Sequence, residues 1–120
     1  MKRIMVVEDE KDVQLLMAEV LKDERYEIVA ADDGDQALRD ARELRPQLVL
    51  LDVMLPGIDG FEVCRRLKAD PATRDIRVIM VSARSDDRDI RQGLACGADH
   101  YVTKPIKLLD LSAAIQRLLG

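Results

Sequence analysis

The fold class predicted by this sequence is α/β: five βα units forming a doubly wound parallel sheet. Three observations predict it. Short apolar runs recur along the chain, at Ile4–Val7, Ile28–Ala31, Leu48–Leu51 and Val78–Val81. Segments with apolar residues at helical spacing lie between them. The runs are also too uniformly apolar for strands with one face in water, which points to a sheet covered on both sides by helices.

The elements follow in order. After the first strand, Val13, Leu16, Met17, Val20 and Leu21 keep helical spacing and predict the first helix. The second strand is followed by Ala37, Leu38, Ala41 and Leu44, a helix that Pro46 closes. Phe61, Val63, Cys64 and Leu67 mark a third helix after the third strand, and Asp70-Pro71-Ala72-Thr73 is the turn into the fourth strand. A fourth helix over Ile90 to Cys96 stops at Gly97, Tyr101-Val102-Thr103 is the fifth strand, and Leu108, Leu111, Ile115, Leu118 and Leu119 supply the last helix.

With 120 residues, the chain is expected to form one domain over 1–120, burying roughly two thirds of the surface an unfolded chain exposes. Hydrophobic residues make up 48% of it and aromatic residues only 2%, so aliphatic side chains must fill the core. A net charge of -4, with no basic cluster, argues against direct nucleic-acid contact. Cys64 and Cys96 lack metal-ligand spacing and read as free, buried thiols in a reducing compartment. The start, Met1-Lys2-Arg3-Ile4, leaves no room for a signal peptide's apolar stretch, and no run reaches membrane-spanning length, so a cytoplasmic location is expected.

Parallel sheets of this kind keep their sites at the carboxyl ends of the strands. The first strand ends in Glu8-Asp9, the third in Asp52, the fourth in Ser82-Ala83 and the fifth in Lys104-Pro105. Each has an ordinary explanation alone: helix-start acids, a turn cap, a turn hydroxyl, a solvated lysine. Their coincidence at four strand ends is what calls for chemistry. Converging carboxylates repel one another unless a cation joins them, and oxygen-only ligation suits magnesium. An ammonium and a hydroxyl opposite that metal would complete a cradle for a phosphoryl group.

At these residues the chain resembles the receiver domains of two-component response regulators. The matching stretches are Val7-Glu8-Asp9, Leu51-Asp52-Val53-Met54-Leu55-Pro56-Gly57-Ile58-Asp59-Gly60, Val81-Ser82-Ala83 and Tyr101-Val102-Thr103-Lys104-Pro105. The resemblance covers essentially the whole chain and implies the flavodoxin-like strand order 2-1-3-4-5. It also implies the roles. Asp52 would be the phosphoacceptor, served by a sensor histidine kinase or phosphotransfer protein. Asp9 and Asp52 would bind magnesium, or manganese, with Glu8 acting mainly through water and Met54 through its backbone carbonyl. Lys104 and Ser82 would bind the phosphoryl group. Ser82 and Tyr101 would carry the switch to the surface of the fourth helix, fifth strand and fifth helix, which an attached output or a downstream partner would read. A cis Lys104-Pro105 peptide is implied as well, and a monomer or weak phosphorylation-dependent dimer.

Departures from the usual pattern individualise the chain. Glu8 stands in place of the commoner aspartate. Met54 and Arg84, two residues after Asp52 and Ser82, hold positions associated with phosphate lifetime, and neither readily orients an attacking water; slow self-dephosphorylation is expected. His100 and Ala114 stand where receivers of winged-helix DNA regulators carry an Asp and an Arg, which favours a stand-alone receiver or another output. His100 itself reads as a solvated turn residue. Kinase choice is expected to depend on exposed first-helix residues such as Gln14 and Glu19.

Two rival chemistries fail on particular residues. A phosphatase using an Asp nucleophile wants a second acid two residues on, where Met54 stands. A nucleotide binder of this fold needs a phosphate-accepting first loop, where Glu8-Asp9 would repel. The chain is accordingly not expected to be a turnover enzyme. A pseudo-receiver acting only as a docking module is the alternative to phosphorylation, and the intact Asp52, Lys104 and acid pair oppose it.

Overall fold

The computed structural model describes residues 1–23 and 25–120. Its elements alternate without exception: β1 (Lys2–Val7), α1 (Lys11–Val20), β2 (Tyr26–Ala31), α2 (Gly34–Leu44), β3 (Leu48–Asp52), α3 (Gly60–Ala69), β4 (Arg77–Ser82), α4 (Asp87–Ala95), β5 (His100–Thr103) and α5 (Leu108–Leu119). The strands form one parallel sheet in the order β2-β1-β3-β4-β5. Strand order and fold class are those expected from the sequence.

Successive strand residues point to opposite faces, and each face has its own helices to meet. Met5, Val7, Val49, Leu51, Val78 and Met80 pack with Ala37 and Ala41 of α2 and with Val63 and Leu67 of α3. Ile4, Val6, Leu48, Leu50, Ile79 and Val81 pack with Met17 of α1 and with Leu111 and Ile115 of α5. Every residue of β3 is buried, as befits the central strand.

Three helices begin with an aspartate that accepts a hydrogen bond from a first-turn amide: Asp33 from Gln36 N (2.8 Å), Asp59 from Glu62 N (2.9 Å) and Asp86 from Asp89 N (2.9 Å). Each removes an otherwise unpaired donor and places negative charge at the positive end of a helix dipole. Asp33→Ala is expected to cost about 1 kcal/mol, read as a lower midpoint in urea unfolding with an unchanged slope.

The structure corrects several side-chain assignments. On α1 the row facing the sheet is Gln14, Met17 and, beyond the helix end, Leu21; Leu16 and Val20 belong to the neighbouring row and are exposed, Leu16 by 64%. An apolar residue one helical step away from the inward row turns toward the rim between α1 and α5. Gln14, expected outside, is therefore inside, whereas Glu19 is exposed. On α5 Leu108 is also exposed, because it opens the helix at the end of the inward row that continues through Leu111 and Ile115. Cys64 is buried, but Cys96, at the end of α4, is only half-buried. His100 is a half-buried residue of β5, paired in register with Ile79, and not a turn residue. The α4 helix starts at Asp87, before Ile90, because Asp86 supplies a cap that hydrophobic spacing does not reveal.

No helix among the described residues is long and apolar enough to cross a membrane.

Candidate functional site

The register of the strands builds the site. Val7 pairs with Leu51, so Glu8 emerges beside Asp52. Asp52 pairs with Val81, Ser82 pairs with Thr103, and Lys104 N donates to Ser82 O at 2.8 Å. All the strand-end residues expected from the sequence thus come to one edge of the sheet.

Glu8, Asp9 and Asp52 each present a carboxylate oxygen, and the three oxygens lie within 4.8 Å of one another. Asp9 is exposed, Asp52 is buried, and Glu8 is only 2% exposed. Lys104 Nζ donates to Asp52 Oδ2 at 3.5 Å and stands 3.9 Å from Glu8 Oε1. The peptide between Lys104 and Pro105 is cis. The other Asp52 oxygen, Oδ1, accepts from Met54 N at 3.0 Å, so the turn after β3 fixes the carboxylate's orientation.

One oxygen in this cluster is conspicuous. Glu8 Oε2 is buried without a hydrogen-bond partner among the described residues. Burial, followed by a proton-sharing contact with Asp52 and by Asp52's negative charge, pushes the Glu8 carboxyl up to about 8, against the smaller opposing pull of Lys104. A buried, unpartnered carboxylate oxygen beside two further acids fits a hard divalent cation with oxygen ligands, and magnesium suits that donor set.

On the other side of Asp52, Ser82 is fully buried and its Oγ accepts from Arg84 N at 3.1 Å. Tyr101 OH donates to Arg84 O at 2.8 Å, and burial raises the half-buried phenol's pKa. The Arg84 guanidinium lies 3.7 Å from Asp89 Oδ1 at the start of α4, and the Met54 side chain is 57% exposed. Gly60 N donates to Val53 O at 2.8 Å, bringing the amino end of α3 tight against the turn after Asp52.

Three features escaped the sequence reading. Gln14 reaches three acceptors around the first loop; its i, i+3, i+7 spacing with Met17 and Leu21 was the available signal. Gly60's backbone approach has no signal in one sequence. Ala114, at the position where receivers of winged-helix DNA regulators carry an arginine, is buried, and Arg117 is the residue whose Nη2 lies 3.3 Å from His100 Nδ1.

A family profile described as response regulator receiver domain matches residues 4–116. Among curated relatives, the DNA-binding response regulator MtrA of Mycolicibacterium smegmatis is 43% identical over 118 residues, 98% of this chain and 50% of that protein. The response regulator PleD of Caulobacter vibrioides is 48% identical over 117 residues, 97% of this chain and 26% of that protein. Among solved structures, the receiver domain of a signal transduction histidine kinase from Syntrophus aciditrophicus superposes with a TM-score of 0.90 at 36% identity, covering 99% of this chain and 90% of that one. The activated receiver domain of Klebsiella pneumoniae RstA gives 0.90 at 30% identity, covering 99% and 100%.

The fold and the strand-end cluster therefore define a two-component signalling receiver. This chain belongs to the response regulator receiver family. It spans about half the length of the first curated relatives it matches.

Proposed function

We propose that residues 1–120 act as one phosphoacceptor unit in which Asp52 takes a phosphoryl group from the phosphohistidine of a sensor histidine kinase or phosphotransfer protein. An Asp52 carboxylate oxygen forms a bond to phosphorus, the bond from phosphorus to the histidine nitrogen breaks, and the electron pair returns to the imidazole. The single observation that carries this reading is the grouping of Asp52 with Lys104, 3.5 Å away, and with Glu8 and Asp9, whose oxygens lie within 4.8 Å.

Asp9 and Asp52, with Glu8 acting mainly through water and Met54 through its backbone carbonyl, would hold magnesium or manganese, which supplies positive charge against the phosphoryl oxygens. Lys104, 3.5 Å from Asp52 Oδ2 and 3.9 Å from Glu8 Oε1, adds a compact positive charge beside the carboxylates. Met54 N fixes one Asp52 oxygen, leaving the other, on the Lys104 side, for attack. Ser82 Oγ then leaves Arg84 N for a phosphoryl oxygen, and the Tyr101 ring rotates into the space released, altering the surface of α4, β5 and α5 that an output domain or partner reads. The chain takes part in its own modification and is not a turnover enzyme. The net charge of -4 supports a protein partner over nucleic acid, and a cytoplasmic setting, where kinases hold their phosphohistidine, suits the chemistry. Exposed Leu15, Leu16 and Val20 on α1 support docking of an apolar helical surface beside the site.

Incubation with acetyl phosphate and magnesium tests the reading by intact-mass spectrometry. A gain of one phosphoryl group, lost in Asp52→Asn, is expected; no gain, as a pure docking module would give, or a gain that survives Asp52→Asn, overturns it.

The lifetime of that group is expected to be long. Neither Met54, flexible and apolar, nor Arg84, held near Asp89, presents an acceptor to orient water toward the phosphoryl group. Loss of label followed without a phosphatase should be slow, and Met54→Glu or Arg84→Asn should accelerate it roughly 10-fold, toward the range expected of a positioned general base. A phosphate half-life of seconds in the unaltered chain contradicts this.

A further inference from the structure

We propose that Gln14 is a positioning residue for the divalent-cation site, a buried amide that fixes the turn bearing Glu8 and Asp9. The inference rests on the reading of Glu8, Asp9 and Asp52 as cation ligands.

Gln14 is 5% exposed. Its Nε2 lies 3.0 Å from Glu8 O, 3.2 Å from Ala31 O and 2.9 Å from Asp32 Oδ1, so two hydrogens serve three acceptors. Asp32 is held in turn by Lys11 Nζ at 2.6 Å, and its own N–H donates to Gln36 Oε1 at 2.8 Å. One side chain of α1 thus ties together the end of β1, the end of β2 and the start of α2.

The place of this knot matters. Strand pairing of β1 ends at Val7, against Ala31 on one side and Leu51 on the other. Glu8 lies just beyond both ladders; its N–H still reaches Ala31 O at 3.1 Å, and its carbonyl is held by Gln14. The residue whose Oε2 is buried without a partner among the described residues is therefore located from behind by an amide that touches no carboxylate oxygen of the cation cluster. A buried amide makes a hydrogen bond stronger than it would be in water, and its loss strands the carbonyls it serves. With the clamp gone, Glu8 and Asp9 must be drawn into place by the cation at the expense of affinity. Removing such an outer partner typically weakens metal binding about 10- to 100-fold.

Isothermal titration with magnesium chloride tests this on the whole chain. Gln14→Met keeps length and volume without donors and should weaken magnesium binding by about 10-fold or more. Thr73→Val removes another buried hydrogen bond, from Thr73 Oγ1 to Leu67 O (2.7 Å), at the amino end of the sheet; it should lower the unfolding midpoint and leave magnesium affinity unchanged. Gln14→Met binding as tightly as the unaltered chain overturns the inference, as does an equal loss in Thr73→Val, which would make the effect one of general destabilisation. If Gln14→Met fails to fold, Gln14→Asn, whose shorter stem cannot span all three acceptors, takes its place under the same two outcomes. Absence of magnesium binding by the unaltered chain, or affinity unchanged in Asp9→Asn, would instead refute the cation site.

Discussion

Gly60→Ala is expected to destabilise the domain by about 3 kcal/mol or more and to abolish phosphoryl incorporation at the same time. Gly60 opens α3 under the Asp59 cap, where alanine would ordinarily gain roughly 1 kcal/mol over glycine. Sterics reverse the sign. A β-carbon at Gly60 would stand 2.7 Å from Val53 Cα and nearer still to the Asp52 carbonyl oxygen. Both neighbours are backbone, so no rotamer can relieve the contact. Either α3 backs away from the sheet or the peptide after Asp52 shifts, and the second moves Asp52, the proposed phosphoacceptor. Gly57 offers the control: its φ is +73° with open space around it, so alanine there meets only the left-handed backbone cost of about 1 to 2 kcal/mol. Urea unfolding of the two variants, beside acetyl phosphate labelling, measures the difference; equal stabilities would refute it.

The second large effect is a pH dependence that a cation removes. In a chelator, the unfolded chain releases the Glu8 proton near the ordinary value of 4.5, whereas the folded, metal-free chain releases it near about 8. Between those values the folded form holds the extra proton, so stability contributed by Glu8 falls as pH rises, by up to about 1.4 kcal/mol per pH unit, and levels off beyond about 8. A cation binds the ionised carboxylates and opposes the slope. Because burial lowers the His100 pKa and so opposes the trend in the same window, the Glu8 contribution is read by difference: with rising pH, midpoints should fall further in chelator than with excess magnesium, and further in the unaltered chain than in Glu8→Gln. A pH dependence in chelator that Glu8→Gln leaves unchanged would contradict the raised pKa of the buried Glu8 carboxyl.

Much of this was legible in the sequence because the relevant signals are short and local. Four-residue apolar runs identify buried strands, and residues that end such runs fall at one sheet edge by topology alone, so Glu8, Asp9, Asp52, Ser82 and Lys104 could be grouped without coordinates. Side-chain orientation within helices was less legible. Leu16 and Gln14 are only two positions apart on α1, yet hydrophobicity ranks them in the wrong order: the amide goes in because three acceptors wait for it, and the leucine stays out because the rim is open. Gly60 shows the other limit, since the backbone packed against it depends on how α3 and the turn after β3 approach one another.

Arg84 gives the proposed switch an unusual tolerance. Its amide hydrogen goes to the Ser82 hydroxyl and its carbonyl oxygen receives the Tyr101 hydroxyl, so the two moving residues meet through main-chain atoms of a single residue. Those atoms are common to nineteen of the twenty amino acids, proline alone lacking the hydrogen. Under the proposed mechanism the side chain there could vary in charge, size and reactivity, and so alter how long a signal lasts, while the main-chain linkage between Ser82 and Tyr101 stayed the same. Duration and transmission would then be adjusted separately at one site in the chain.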